Sequence, residues 1–176
     1  LKNHQSISSI MPFPDEDVDK KNMHIIFATS KGKIRKNNLE DFSSINASGK
    51  IAMKLDSDDK IVGVKICTDD QDIMLNTKFG KCIRFESKKL RVFKGRSSKG
   101  IRGINLSEKD TIVSLSIIDK DDIKKNKSKT KDEKSEVKAK EKFILSITEN
   151  GYGKRTSHYD FRVTNRGGKG LSLIHI

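Results

Sequence analysis

The sequence predicts an all-β protein assembled from repeated hairpins, and three observations carry that expectation. The strings 25-IIFATSKGKIRK-36, 73-IMLNTKFGKCIR-84 and 144-ILSITENGYGKR-155 share one pattern: an apolar strand, a Thr (Thr29, Thr77, Thr148), two residues, a Gly (Gly32, Gly80, Gly151), then a basic strand. A second pattern repeats behind the first, 55-LDSDDKIVGVKIC-67 against 106-LSEKDTIVSLSII-118, offset by 51 residues. The third is composition: 176 residues with 33% apolar content and no Trp suit small stacked units better than one large core.

The elements follow in chain order. Residues 1–23, where 6-SISSIM-11 alternates and Pro12 and Pro14 interrupt, are expected to be the last strand of a preceding unit plus a loop. Residues 24–72 and 73–118 read as two units of short strands, each about 50 residues, the size of a four-stranded propeller blade. In each, apolar alternation flanks a short turn whose Gly supplies a positive φ. Gly32 and Gly80 are 48 residues apart and Gly80 and Gly151 are 71 apart; the excess matches the 23 residues of 119–141. That stretch holds nine Lys and seven acids with almost no apolar side chain, so it is expected to be a disordered insertion. Residues 142–170 then read as a third, incomplete unit.

The formal charge of +13 makes a polyanion the first partner to consider, nucleic acid before an anionic membrane surface. No apolar run approaches the roughly 20 residues of a membrane span and the first residues do not read as a signal peptide, so a cytosolic protein is expected. Cys67 and Cys82 lie in different strand-like runs without metal or disulfide spacing and read as reduced core thiols. The insertion carries only +2. Residues 31–54 carry +4, 55–72 carry −4, 78–102 carry +9, 103–118 carry −1 and 142–170 carry +4, so charge alternates in phase with the repeat. In a propeller, equivalent segments occupy equivalent parts of the disc. The cations are therefore expected on one rim and the acids elsewhere.

A basic rim suits a duplex bent along it, because phosphate contacts fix position without reading bases. Such bending costs on the order of 1–6 kcal/mol per 20–30 base pairs, which distributed cations can offset. The candidate contacts are Lys31, Lys33, Arg35 and Lys36 in the first unit. The second offers Lys81, Arg84, Arg91, Lys94, Arg96, Lys99 and Arg102, and the third Lys154, Arg155, Arg162, Arg166 and Lys169. The glycine-rich basic loops 94-KGRSSKGIRG-103 and 165-NRGGKG-170 let backbone N–H groups approach a phosphate closely.

At 47-ASGKIAMKLDSDDKIVGVKI-66, 99-KGIRGINL-106 and 149-ENGYGKRT-156 the chain resembles the C-terminal domain of the A subunit of bacterial DNA gyrase, a type IIA topoisomerase. The resemblance implies a six-bladed β-pinwheel, a propeller variant whose blades exchange strands and around whose basic edge double-stranded DNA wraps. It also implies a holoenzyme of two A and two B subunits in which that wrap supports ATP-driven negative supercoiling. ATP and Mg²⁺ are used elsewhere in such a holoenzyme, and no cofactor is expected in this chain; the setting implied is cytoplasmic and chromosome-associated. The three units resemble the third, fourth and fifth blades of the six.

The family's hallmark box, Gln-Arg-Arg-Gly-Gly-Lys-Gly, belongs to the first blade. Arg166-Gly167-Gly168-Lys169-Gly170 reproduces its second half, but Thr164 and Asn165 replace the Gln and Arg, so the loop reads as the equivalent rim loop of another blade and the box is expected upstream. A degenerate box would instead suit the corresponding domain of topoisomerase IV, an enzyme of relaxation and decatenation, and a basic propeller could also be an interaction scaffold for an acidic protein. After Gly170 the family expects a strand like 101-IRGINL-106. The hexapeptide 171-LSLIHI-176 matches a translated sequencing adaptor instead, and is expected to lie outside the domain.

Catalysis is not expected of this chain. Tyr152 and Tyr159 lack the Arg-Tyr-Thr context of the family's nucleophile and read as rim or packing aromatics. His4, His24, His158 and His175 have no ligand spacing, and no phosphate-binding loop appears.

Overall fold

A computed structural model of the chain describes residues 7–14, 20–44, 49–95, 97–120 and 141–173. Among the described residues there are ten strands: β1 (His24–Thr29), β2 (Lys33–Asn38), β3 (Ile61–Cys67), β4 (Gln71–Thr77), β5 (Lys81–Glu86), β6 (Ile101–Arg102), β7 (Ile112–Asp119), β8 (Phe143–Ile147), β9 (Gly153–Ser157) and β10 (Leu171–Ser172). They form two four-stranded antiparallel sheets, in the orders β3-β1-β2-β6 and β10-β5-β4-β7, and a two-stranded sheet of β8 and β9.

The repeated Thr and Gly have one structural cause. In each hairpin the Gly N–H donates to the Thr carbonyl: Gly32 to Thr29, Gly80 to Thr77 and Gly151 to Thr148, at 3.0, 3.1 and 3.0 Å. The Thr hydroxyl accepts the N–H that opens the return path, from Lys33, Lys81 and Tyr152 at 3.2, 3.2 and 3.1 Å. The glycines sit at φ +79°, +73° and +81°, a region that L side chains resist.

β1 is buried along its whole length and β4 from its second residue on, so their two faces lie in different cores. Ile26 and Ala28 of β1 meet Ile73 and Leu75 of β4, Ile83, Phe85 and Leu115 between the two large sheets. The opposite face of β1, Ile25 and Phe27, packs on Leu39, Met53 and Met11. The opposite face of β4 is Met74, which packs with Cys82, Ile118, Phe161 and Leu173 toward the third unit. The second sheet therefore turns one face to the first unit and the other toward the third, the stacking of a propeller, while the outer face of the first is covered by Leu39, Met53 and Met11. Full burial of each such aliphatic side chain is worth about 1.5–3 kcal/mol.

Each large sheet completes itself with a strand from further along the chain. β6 pairs with β2, Lys33 opposite Arg102 and Ile34 opposite Ile101, and β10 pairs with β5, Lys81 opposite Ser172 and Cys82 opposite Leu171. Residues 171–173, expected to lie outside the domain, thus take the place in the second sheet that β6 takes in the first. Pairing there uses backbone groups, and Leu171 and buried Leu173 supply the apolar contact that the site requires. Residues 174–176 lie outside the described residues.

Three further differences from the sequence-based expectation are local. The change of sheet falls between Cys67 and Gln71, slightly before the 72/73 boundary, because Gln71 and Asp72 already pair with β7. Residues 7–11 form no strand, and Ile7 and Ile10 are exposed. The first residue of the expected insertion, Asp119, ends β7, while 121–140 lie outside the described residues.

Candidate nucleic-acid interface

Two glycine-rich loops present exposed cations, Lys94, Lys99 and Arg102 in the first and Arg166 and Lys169 in the second, and both are pinned by backbone contacts. Gly100 stands at φ +77° with its α-carbon so close to β2 that a Cβ would come within 2.5 Å of the Ile34 carbonyl oxygen. Gly170 repeats this against the Cys82 oxygen, at 2.7 Å and the same φ. The first loop is further held by Gly103 N–H donating to Gly32 O at 2.8 Å. The second lies on the first: Gly167 N–H donates to Gly103 O at 2.6 Å, Asn105 N–H to Gly168 O at 2.8 Å, and Arg166 Nη1 to Arg102 O at 3.1 Å. The hairpin turn of the first unit, the 94–103 loop and the 165–170 loop are therefore consecutive neighbours.

Along this path the exposed cations are Lys31, Lys99, Arg102, Arg166 and Lys169, with Lys33 and Lys81 half-buried at the starts of β2 and β5. Lys31 Nζ donates to Ser57 O at 2.5 Å. Arg91 and Lys94 are exposed near the far end of β2, where Phe93 N–H donates to Lys36 O, and the Arg91 guanidinium stands 4.2 Å from the centroid of the Phe93 ring, a cation–π contact. Arg155 covers the Phe143 ring at 3.8 Å, and Lys154 and Arg162 are exposed on the third unit. Arg96 lies outside the described residues.

Arg35, Lys36 and Arg84, expected at the rim, lie inside instead, at 0%, 1% and 4% exposure, where a phosphate has no access. Their register explains this. Lys36 pairs across the hairpin with buried Ile26 and Arg84 with buried Met74, so both point into a core face. Arg84 Nε meets Asp72 at 2.9 Å, and its Nη1 donates to the His158 carbonyl at 2.6 Å. Lys36 Nζ pairs with Asp69 and donates to the Ser87 carbonyl at 3.2 Å. Arg35 donates to Asn37 Oδ1 at 2.8 Å and to Ser98 O at 2.5 Å, fastening the 94–103 loop from beneath. Burial lowers the Arg35 pKa.

The acids are not segregated from the cations. Asp56 accepts from Lys33 and Lys99 together, which pulls its pKa down to about 2, the Lys33 hydrogen bond being the largest cause. Asp59 and Asp110 sit beside the hairpin turns: Asp59 accepts from Ser30 Oγ and Lys31 N at 2.9 Å, Asp110 from Phe79 N at 3.0 Å and Thr111 N at 2.9 Å. A net-charge sum cannot register such pairing, because acid and base of one segment cross to different neighbours.

Sequence reasoning passed over Lys89, which is exposed and reaches Asn165 Oδ1 of the second basic loop at 3.3 Å. The available signal was the alignment of 86-ESKKLRVF-93 with 157-SHYDFRVT-164, which places Lys89 on the same turn in its unit. Cys67 and Cys82 are buried free thiols, and burial pushes the Cys82 thiol up to about 11. Among the described residues no helix is long and apolar enough to cross a membrane.

Antiparallel sheets that exchange strands and stack face to face, with cationic loops in succession along one edge, define a β-propeller domain. Residues 24–68, 71–119 and 142–176 match the family described as DNA gyrase C-terminal domain, beta-propeller, and the chain belongs to that family. It is 39% identical over 204 residues to the A subunit of DNA gyrase from Rickettsia conorii and 36% identical over 176 residues to that from Staphylococcus epidermidis, with all of this chain covered in both. It spans only 22% and 17% of those relatives' lengths. The fold is that of a crystal structure of the C-terminal domain of DNA topoisomerase IV, with a TM-score of 0.70 at 24% identity over 92% of this chain and 43% of that one. The structure of a DNA gyrase A C-terminal domain gives 0.66 at 24% identity, over 86% and 43%.

Proposed function

We propose that the chain is a DNA-wrapping module of a gyrase A subunit, bending duplex DNA along its basic rim so that the holoenzyme introduces negative supercoils. The observation that carries this reading is the succession of the Gly32 turn, the 94–103 loop and the 165–170 loop. Their backbones are hydrogen-bonded to one another and present Lys31, Arg102, Arg166 and Lys169 to solvent in sequence. Contacts of this kind neutralise phosphates on successive turns of a duplex without selecting bases. Arg91, Lys94, Lys154, Arg155 and Arg162 extend the cationic surface, and Lys81 and Lys33 line it. In this reading the disc has six blades, the partners are two B subunits and one further copy of the A polypeptide in an A2B2 assembly, and the setting is the cytoplasm, on the chromosome. The cleavage and ATP chemistry belong to other parts of that assembly.

Titration of the chain with duplexes of increasing length at several salt concentrations tests the proposal. Affinity that falls steeply with salt, rises with duplex length and ignores sequence supports wrapping. Salt-independent binding, or equal affinity for short and long duplexes, overturns it. Neutralising Arg91, Lys94, Arg102 and Arg166 together is expected to flatten the salt dependence by about 0.9 in slope for each phosphate no longer engaged.

A further inference from the structure

The two large sheets correspond in register at one point of the rim, where the first has Asp56 and Arg102 and the second has Ser107 and Ser172. Lys33 opens β2 as Lys81 opens β5. Lys99 precedes Gly100 and β6 as Lys169 precedes Gly170 and β10, and the two exchanged strands pair in the same register, Arg102 with Lys33 and Ser172 with Lys81. In the repeated string behind the hairpins, Asp56 follows Leu55 as Ser107 follows Leu106. In the first sheet the Asp56 carboxylate takes Lys33 on one oxygen and Lys99 on the other. In the second, Lys81 Nζ donates to Ser107 Oγ at 2.9 Å, and no described acid lies within ion-pair distance of Lys81 or Lys169.

We propose that Asp56 is an internal substitute for a DNA backbone phosphate, filling the anion position of the first unit's rim, and that the same position in the second unit, framed by Lys81, Ser107 and Lys169, receives a phosphate of the bound duplex. The inference rests on the wrapping function proposed above and adds which unit engages the backbone and which is self-neutralised. A carboxylate and a phosphodiester offer ammonium groups the same face, two anionic oxygens accepting charge-assisted hydrogen bonds. The Ser107 hydroxyl adds a donor, whereas an ionised carboxylate only accepts. Asp56 is held as the anion down to acid pH by the two lysines, so it occupies the position under all conditions in which DNA binds. Its side chain is 29% exposed, open enough that an approaching duplex meets a carboxylate where the second unit would present cations. The wrap is therefore uneven, with the backbone gripped tightly over the second unit and loosely over the first.

The test is duplex binding by the full chain across about 50 to 200 mM salt, with unfolding midpoints recorded for every variant. Asp56→Ser, which installs the second unit's residue in the first, is expected to steepen the plot of log affinity against log salt by about 0.9, the increment for one additional phosphate neutralised. Ser107→Asp is expected to flatten it by about the same amount. Asp70, exposed and engaged with the Thr68 hydroxyl, provides a matched charge change away from the site, and Asp70→Ser is expected to leave the slope as it is. Lys99→Gln is expected to cost little in the wild-type background and about threefold in affinity beside Asp56→Ser, matching what Lys169→Gln costs in the wild type. Equal effects of Asp56→Ser and Asp70→Ser, or equal costs of Lys99→Gln and Lys169→Gln in the wild type, overturn the proposal while steep wild-type salt dependence leaves wrapping intact. A wild-type affinity that ignores salt overturns the wrapping reading itself.

Discussion

The guanidinium of Arg84, on β5, donates a 2.6 Å hydrogen bond to the backbone carbonyl of His158, 74 residues further along the chain. One unit earlier Lys36, on β2, reaches the carbonyl of Ser87 in the same way. Ser87 and His158 each open the short 3₁₀ turn that follows the second strand of a hairpin. A backbone bridge accompanies each contact: Phe93 N–H donates to Lys36 O and Thr164 N–H to Arg84 O, both at 2.8 Å. A buried cation clasping the next unit's turn is thus a recurrent seam of the stack.

Truncation of that seam is expected to cost stability and to spare the DNA-binding surface. Arg84→Ala leaves Asp72, 1% exposed, without its main partner, and removal of one member of a buried pair costs about 3–5 kcal/mol. Urea unfolding is expected to show a loss of that size, whereas Arg91→Ala, at an exposed site, leaves the midpoint nearly unchanged. Arg84→Lys, which installs the first unit's residue type, is expected to recover part of the loss.

The clamp on the first basic loop depends on the backbone at Gly100. Gly100→Ala forces a Cβ into the Ile34 carbonyl at a positive φ and is expected to destabilise by about 1–3 kcal/mol and to weaken duplex binding. Gly95, with nothing within 4 Å of its would-be Cβ and no positive φ, provides the comparison: Gly95→Ala is expected to be neutral in both measurements.

Asp56 gives the acid response a recognisable signature. Its folded pKa of about 2 lies below the unfolded value of about 3.9, so its contribution to stability is complete above the unfolded value and disappears as pH falls through the folded one. The stability gap between the wild type and Asp56→Asn is therefore expected to be constant near neutrality and to close between about pH 4 and pH 2. A gap that persists at the lowest pH contradicts the assignment.

The ends of the 119–141 stretch meet: Lys142 pairs with Asp119, and His158 N–H donates to Lys142 O at 3.0 Å. Replacing 121–140 by a short Gly/Ser linker is expected to preserve the unfolding midpoint and to change duplex affinity by less than about twofold, given the stretch's small net charge. A large loss of affinity would place part of the DNA-binding surface in that stretch.

The hairpins were legible in the sequence because their determinants are local. The Thr carbonyl, the Thr hydroxyl and the Gly backbone act within four residues of one another, so spacing alone reveals them. The cationic loops were legible for the same reason. The positions of Arg35, Lys36 and Arg84 were not, because their burial depends on a neighbouring unit that covers the sheet, and charge counted along a strand says nothing about which face is covered. A cross-strand view would have helped: the pairing of Lys36 with Ile26 and of Arg84 with Met74 assigns both cations to an apolar face. The strand formed by Leu171 and Ser172 was illegible because its partners are backbone atoms of β5, far earlier in the chain, and backbone pairing places little demand on which side chains follow Gly170.

Ile101 and Arg102 belong to the second unit by covalent connection and to the first by hydrogen bonding. Stacked repeats that meet only at flat interfaces melt progressively, with partially frayed species along the way. An interlaced arrangement removes those species, since releasing either hairpin unzips an edge of its neighbour. Calorimetry of the chain should accordingly resolve a single endotherm, and a backbone nick between Val92 and Gly100 should leave two fragments that migrate together until the whole assembly denatures.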